Sequence, residues 1–548
     1  MSTLSDTSQL RRWIHHLIIG IAFSIACGRI ISVQRVYEPA FYPDPSRWPA
    51  AKPDSNAMFG SNDRARWATI RALVHENTYV IGKREPKIIL ISAGTMLAAT
   101  DPVQAAVLMQ AGYDLRTNVA KSSVHNGIIF KEGFKEHGWA TIDRVLDPNT
   151  LEFHSSKPPL LSTVLAGLYW ILLHVPIGIN WLCEFFGWTP FKDPAAALSL
   201  IDHPTRVVRV MLILVNALPF AGYLWLVSKA ADRWGKTDWG KIYIVAAGAF
   251  ATTVTPFLIT LQNHTFGTFS VMAAWWSVLC IWDQVSQGET PAWRHFACAG
   301  FFSAFAAACE MPALAFAAAV LVLLLWWSPG RTLLLFVPAA LVPAVGFFGT
   351  NYLEVGQLPP VQSDITSAWY RYEGSHWMPP PEGYTKTGID WARLRETRAE
   401  YALHVLVGHH GLFTLTPIWL LALNGMFVGF LRLPFSWRQT VFKKGHEFPW
   451  FVQPVGLALT IVVIGFYLVS SDNYGGFTNG LRWLMWLSPI WLTCMIPVVD
   501  RMSASAWGRG LAGLLLALSV FSASYQLWNP WRHPWIFDLM IEMDWSGY

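Results

Sequence analysis

The sequence predicts an all-α polytopic membrane protein with about 11–13 transmembrane helices. Three observations carry that prediction. Hydrophobic residues make up 53% of the 548 residues and charged ones only 14%, against about 25% charged in a soluble domain. The charge is segregated, with long apolar runs separated by short polar ones. The 30 Trp and 33 Phe fit aromatic belts at two membrane–water interfaces.

Taken in order, Arg11 and Arg12 precede an apolar run from Ile14 to Val33 with no small-residue cleavage site, which reads as an uncleaved first helix within 1–33. The long polar stretch 34–158 is a first loop. Spans at 205–228, 242–260, 265–282, 295–310, 312–328 and 332–350 form a bundle over 201–350. A second loop covers 351–408. Spans at 411–431, 450–470, 482–499 and 507–524 form a bundle over 409–524, with a tail at 525–548. Each run approaches the ~20 residues a crossing needs.

Charge decides how to read the remaining apolar stretch, 159–200. Short basic loops stay on the cytoplasmic side. With Arg11 and Arg12 inside, the first loop is outside. If 159–200 is a re-entrant or surface hairpin, Lys229, Arg233, Lys236, Lys241, Arg294, Arg331, Arg432, Arg438, Lys443, Lys444, Arg501 and Arg509 all fall inside. A single crossing there would put every one of them outside. The same topology brings Asp63, Lys157, Asn263, His264, Glu310, His409, His410, Asn473, Tyr474 and Arg482 to the outer face, although none of them enters the charge argument.

The net charge of +5 is modest and spread over loops, so no nucleic-acid partner is expected. Six cysteines (Cys27, Cys183, Cys280, Cys298, Cys309, Cys494) fall mostly within apolar runs and form no CxxC, which argues against a disulfide framework or a cysteine metal site. No Walker A, GxSxG or dinucleotide pattern occurs, which argues against ATP-driven chemistry and a serine hydrolase.

Within the first loop, Trp67, Ile70 and Val74 recur at helical spacing, with Arg64 and Arg71 elsewhere, which predicts a helix lying on the membrane surface. Short strands are expected at 79–81, 88–91, 128–130 and 139–142. Asp63 stands near that helix's N-terminus, where its carboxylate is stabilised. It suits a general base, a metal ligand or a plain N-cap. The loop ends in Ser155-Ser156-Lys157-Pro158-Pro159. Pro158 holds Lys157 on extended backbone and the prolines open a helix. The ammonium then meets a lipid phosphate or simply snorkels to the interface. Arg482 and Arg66 are further cations for such a phosphate, each with a plain surface role as the simpler reading. Glu310, beside an apolar run, is costly without a partner and is read as catalytic or as half of a structural pair. Asn263, His264, His410, Asn473 and Tyr474 are candidate substrate contacts. The histidines also suit a metal, a proton relay or interface hydrogen bonding.

Asn62-Asp63-Arg64-Ala65-Arg66-Trp67, Lys157-Pro158-Pro159-Leu160 and Gly480-Leu481-Arg482-Trp483 followed by Pro489 give the chain a family likeness. It resembles the GT-C membrane glycosyltransferases, in particular the bacterial lipid A aminoarabinose transferase and protein O-mannosyltransferase group. Those enzymes open the first outer loop with an acidic pair, an Arg and a surface helix, and close it with Lys-Pro-Pro-Leu. Here Asn62 replaces the first acid, Ser156 replaces a Glu of the aminoarabinose transferases, and the loop is longer. The resemblance implies a GT-C-like fold. It implies inverting transfer of a hexose or pentose from a polyprenyl-phosphate donor to a lipid, glycan or protein acceptor. The site would face outward from a bacterial inner membrane. Asp63 would act as base or hold a divalent metal ion, and Lys157 with Arg482 would hold the donor phosphate. A transporter or flippase of lipid-linked sugars is the alternative; it predicts inverted repeats and mid-helix charges, and the sequence shows neither.

Overall fold

The computed structural model describes residues 2–33, 35–36, 55–58, 60–84, 88–92, 95–99, 114–115, 128–129, 141–372, 375, 377–378, 396–432, 448–471, 473–476 and 478–545. Helix α1 (Ser2–Ser32) is followed by β1 (Arg35–Val36), β2 (Ser55–Asn56), α2 (Ser61–His75), β3 (Gly82–Arg84) and β4 (Ile88–Ser92). Next come β5 (Thr95–Ala99), β6 (Asp114–Leu115), β7 (Ile128–Ile129), β8 (Arg144–Leu146), β9 (Glu152–Ser155) and α3 (Pro159–Glu184). The chain continues through α4 (Pro204–Trp234), α5 (Asp238–Phe250), α6 (Asn263–Ser286), α7 (Trp293–Cys309), α8 (Met311–Trp327) and α9 (Pro329–Val355). It ends with α10 (Arg398–Leu406), α11 (Trp419–Leu431), α12 (Val452–Ser470), α13 (Arg482–Met502), α14 (Ala506–Tyr525) and α15 (Trp535–Glu542).

Eight helices among the described residues are long and apolar enough to cross a membrane: α1, α3, α4, α6, α9, α12, α13 and α14. The protein is a polytopic, largely helical integral membrane protein with a small sheet region. The expected runs 295–310 and 312–328 form the 17-residue helices α7 and α8, whereas two other expected runs are broken. The run 242–260 stops being helical at Phe250 and passes into a 3-10 turn, Pro256–Ile259. In 411–431 the longer helix starts only at Trp419, after Pro417. A proline has no N–H to continue a helix. Helix α4 carries a π turn, Ile213–Ala217. There the Asn216 amide donates to Leu258 O and Thr260 O, at 2.9 and 2.8 Å, and so satisfies carbonyls of the broken segment.

The chain divides into two compact units. The first comprises 1–34, 208–346 and 385–548, and its two ends differ chemically. At one end Arg11 pairs with Asp232 at 3.0 Å and with Asp238, and Arg233 pairs with Asp283 at 2.6 Å. Asp500 there accepts from the backbone of Lys236 and Thr237. At the other end Arg29 donates to Leu527 O at 3.1 Å, Asn479 N donates to Pro530 O, and Arg209 donates to Val33 O at 2.5 Å. Helices α1 and α4 are therefore antiparallel. The chain leaves this unit just after Val33 and returns just before Arg209, at the same end.

The second unit comprises 35–207 and 347–384. It holds a four-stranded antiparallel sheet, β7-β3-β9-β8, a three-stranded sheet, β5-β4-β6, and the pair β1-β2. The strand expected at 79–81 starts at Gly82, although Ile81 N already donates to Phe153 O. Of the strand expected at 139–142, residues 139–140 lie outside the described residues, as does Phe130; Thr141 and Ile142 are irregular, and pairing begins at Arg144.

Two details of this unit differ from a simple reading of the sequence. The stretch 159–200, expected as a re-entrant or surface hairpin, is not a pair of helices. One 26-residue helix, α3, runs through Pro176 to Glu184. The chain then folds back until Leu200 N donates to Tyr169 Oη at 2.7 Å, near the middle of that helix. Nor does α2 lie on a surface with a polar face outward: Asn62 to Ala72 are all buried. Its polar groups tolerate this because they find partners. Arg66 donates to Asn62 Oδ1, Arg71 pairs with Glu76 at 2.5 Å, and His75 Nε2 lies 2.7 Å from Tyr169 Oη.

Candidate functional site

In the second unit, an antiparallel hairpin builds the site. β8 and β9 pair with Arg144 opposite Ser155. Continuing that register sets Asp143 opposite Ser156, and Ser156 N donates to Asp143 O at 3.1 Å. Lys157 follows at the hairpin's end, and Pro158 and Pro159 open α3, with Pro158 at φ −51° and ψ 133° as its cap. Lys157 Nζ reaches Asp143 Oδ1 at 2.7 Å. Ser61 Oγ donates to Asp143 Oδ2 at 2.5 Å and Ser156 Oγ to Oδ1 at 3.4 Å. Thr141 Oγ1 donates to Ser61 O at 2.7 Å.

Asp143 thus joins the start of α3 to the first turn of α2. The two stretches singled out in the sequence, 61–66 and 155–159, meet through a carboxylate that was not singled out. Asp63 is 1% exposed and lies in the first turn of α2, where the helix dipole favours its anion. It is not the cap, because Gly60 occupies that position. Arg66 is 2% exposed and directed back to Asn62. Glu354 is a second acid missed in the sequence. Both its oxygens are buried with no hydrogen-bond partner among the described residues, and Oε1 lies 3.8 Å from His154 Nδ1.

The other candidates belong to the first unit and form two groups. Glu310 is the C-cap of α7 and pairs with His264 Nδ1. Asn263 Nδ2 donates to its Oε1 at 2.5 Å and to Cys309 O at 2.9 Å. Gly267, one turn along α6, makes room: a Cβ there would lie 3.0 Å from Glu310 Cγ. Glu310 is therefore a paired acid at the N-terminus of a helix.

The second group surrounds a glycine loop. Gly475, Gly476 and Gly480 have φ of 94°, 76° and 111°, which favour glycine. Asn473 Oδ1 accepts from Gly475 N at 2.8 Å. Tyr474 is buried and stacks on His410 at 4.7 Å. Arg482 lies over the Trp531 ring at 4.6 Å. The two histidines precede the next helical segment rather than opening it, and His409 Nδ1 lies 2.6 Å from His410 Nδ1. Burial first, then the neighbouring imidazoles, holds both below the ordinary histidine range.

A divalent ion needs several converging ligands. Asp63 belongs to no group of three such residues among the described ones; Glu396, His404 and His409 do.

No protein-family model and no curated protein matches the chain. Among solved structures, it is similar to the apo crystal structure of the Archaeoglobus fulgidus oligosaccharyltransferase, with a TM-score of 0.41 and 10% identity over 95% of this chain and 56% of that one. It is also similar to archaeal AglB from Archaeoglobus fulgidus in complex with an inhibitory peptide and a dolichol-phosphate, with a TM-score of 0.39 and 11% identity over 95% and 56% of the two chains. The chain spans little more than half the length of these proteins, and likeness at this level carries no activity over to it.

Proposed function

We propose that the protein is a membrane glycosyltransferase that moves a sugar from a polyprenyl-phosphate donor to a lipid, glycan or protein acceptor. The observation that carries this reading is Asp143, which ties Lys157 to the first turn of α2 and so sets a fixed cation close in the fold to the buried acid Asp63. Lys157 binds the donor phosphate, and Asp143 positions the ammonium. Asp63 takes the proton of the acceptor hydroxyl as its oxygen attacks the anomeric carbon. The bond from that carbon to the phosphate oxygen breaks, and the electron pair leaves on the phosphate, whose charge Lys157 stabilises. A single displacement of this kind inverts the anomeric centre.

In this reading the Arg11 end of the first unit is cytoplasmic, and the Arg209 end faces outward from a bacterial inner membrane. Arg482, Glu310, Asn263, His264, His410, Asn473 and Tyr474 belong to that unit.

The test is release of polyprenyl phosphate from a radiolabelled lipid-linked sugar in proteoliposomes. Asp63→Asn and Lys157→Ala should each lower kcat at least about 100-fold, as loss of a general base or of a charge stabiliser does. Full turnover in both variants would sink this site. Labelling of Lys236→Cys and Asn473→Cys in a cysteine-free background should show opposite sidedness; labelling from one side would overturn the orientation.

A further inference from the structure

We propose that Glu396, His404 and His409 bind a first-row divalent transition ion of the zinc class, at a site distinct from Asp63 and Lys157. Each offers one ligand atom, and these atoms lie within 4.8 Å of one another. Two imidazoles and a carboxylate suit such an ion; Mg2+ and Ca2+ prefer oxygen ligands throughout.

The local fold explains why the three residues meet. Thr397 caps α10 in a reciprocal box with Glu400, which fixes Glu396 just ahead of the helix. His404 lies in the last turn of α10, and His409 follows in the turn after it. Gly408 allows that turn to close, since a Cβ there would come within 2.3 Å of His404 Nδ1.

Two atoms of the cluster point to a cation. Glu396 Oε1 and His404 Nδ1 are buried with no hydrogen-bond partner among the described residues. Leaving a buried carboxylate oxygen and a buried imidazole nitrogen unpaired is costly, and one ion bound to the carboxylate and to the deprotonated nitrogen would satisfy both. The outer contacts are those that orient metal ligands. Tyr474 Oη donates to Glu396 Oε2 at 2.5 Å, and His410 Nδ1 lies 2.6 Å from His409 Nδ1. The His404 and His409 rings stack with centroids 4.0 Å apart, so coordination at about 2.1 Å requires both to turn their nitrogens inward. Three protein ligands leave a further position for water. The ion would lock the end of α10 to the turn that follows it.

The test uses the full chain, purified in detergent through a tag without histidine, stripped with chelator and titrated with Zn2+ or Co2+. The expected result is one ion per chain by elemental analysis. Bound Co2+ should give visible absorption bands of nitrogen and oxygen ligation, and Zn2+ should raise Tm. In Glu396→Gln and His404→Ala, affinity should fall at least about tenfold, as loss of a metal ligand implies, and the rise in Tm should disappear. Both side chains are only partly buried, and size-exclusion chromatography of each variant checks its fold. Unchanged Zn2+ affinity in both variants would overturn the proposal. So would a monodisperse wild-type chain that retains no ion. Both readouts are independent of sugar transfer.

Discussion

Helices α2 and α3 pack against each other in one unit, yet they reverse the usual rule of burial. α2 carries Asp63, Arg64, Arg66 and Arg71 and is buried along Asn62–Ala72. α3 is strongly apolar, yet Trp170, Ile171, Trp181 and Leu182 are 55%, 57%, 73% and 60% exposed. Only its first half, from Pro159 to Tyr169, is substantially covered. The difference teaches that burial here follows partners, not polarity. In α2, Arg66, Arg71 and His75 go inside with a hydrogen bond or counter-charge, and in α3 apolar groups stay outside where lipid replaces water.

Asp143 tests this most severely, because it balances Lys157 where the two helices begin. Asp143→Asn keeps the shape and the acceptor for Ser61 but removes the charge. The expected loss is about 3 kcal/mol, the lower end for breaking a buried pair, read as a fall in Tm in detergent. The double variant Asp143→Asn/Lys157→Met should recover most of it, since no buried charge is then left alone. A double variant as unstable as the single one would mean that Asp143 holds the hairpin by shape and not by charge.

What the sequence makes legible follows from the same physics. Long apolar runs are readable because a bilayer demands them, and the Pro158-Pro159 start of α3 is readable because proline acts locally. Asp143 is not readable in this way. It lies 13 residues from Ser156, and only the register of β8 and β9 sets the two opposite each other. That register depends on a turn in which Asp147 accepts from Asn149 N and Thr150 N and Leu151 adopts φ 58°. The local signal for it is an acid one hairpin upstream of the lysine. The burial of α2 is hidden for a related reason. Its apolar spacing marks one buried face, while the partners that allow the other to be buried, such as Glu76 and Tyr169, lie beyond the helix.

Along α3 the contrast predicts a gradient. Leu165 is 3% exposed and Leu182 is 60% exposed. Leu165→Ala should cost about 2 kcal/mol, at the low end for a buried leucine near the rim of a packed region. Leu182→Ala should change stability by less than about 0.5 kcal/mol. Equal effects would mean that the second half of α3 is covered in solution.

The smallest expected effect on stability isolates what covers that half. Ile171→Cys, in a cysteine-free background and carrying a polarity-sensitive fluorophore, should leave Tm unchanged. In liposomes its emission should shift to the blue and be quenched by nitroxide-bearing lipid. Leu165→Cys labelled in the same way should resist quenching, because that face of α3 packs within the protein. Blue emission at position 171 without lipid quenching would mean that protein, not bilayer, covers the apolar half. The reversal between α2 and α3 would then be a matter of an unseen protein partner rather than of the membrane as solvent.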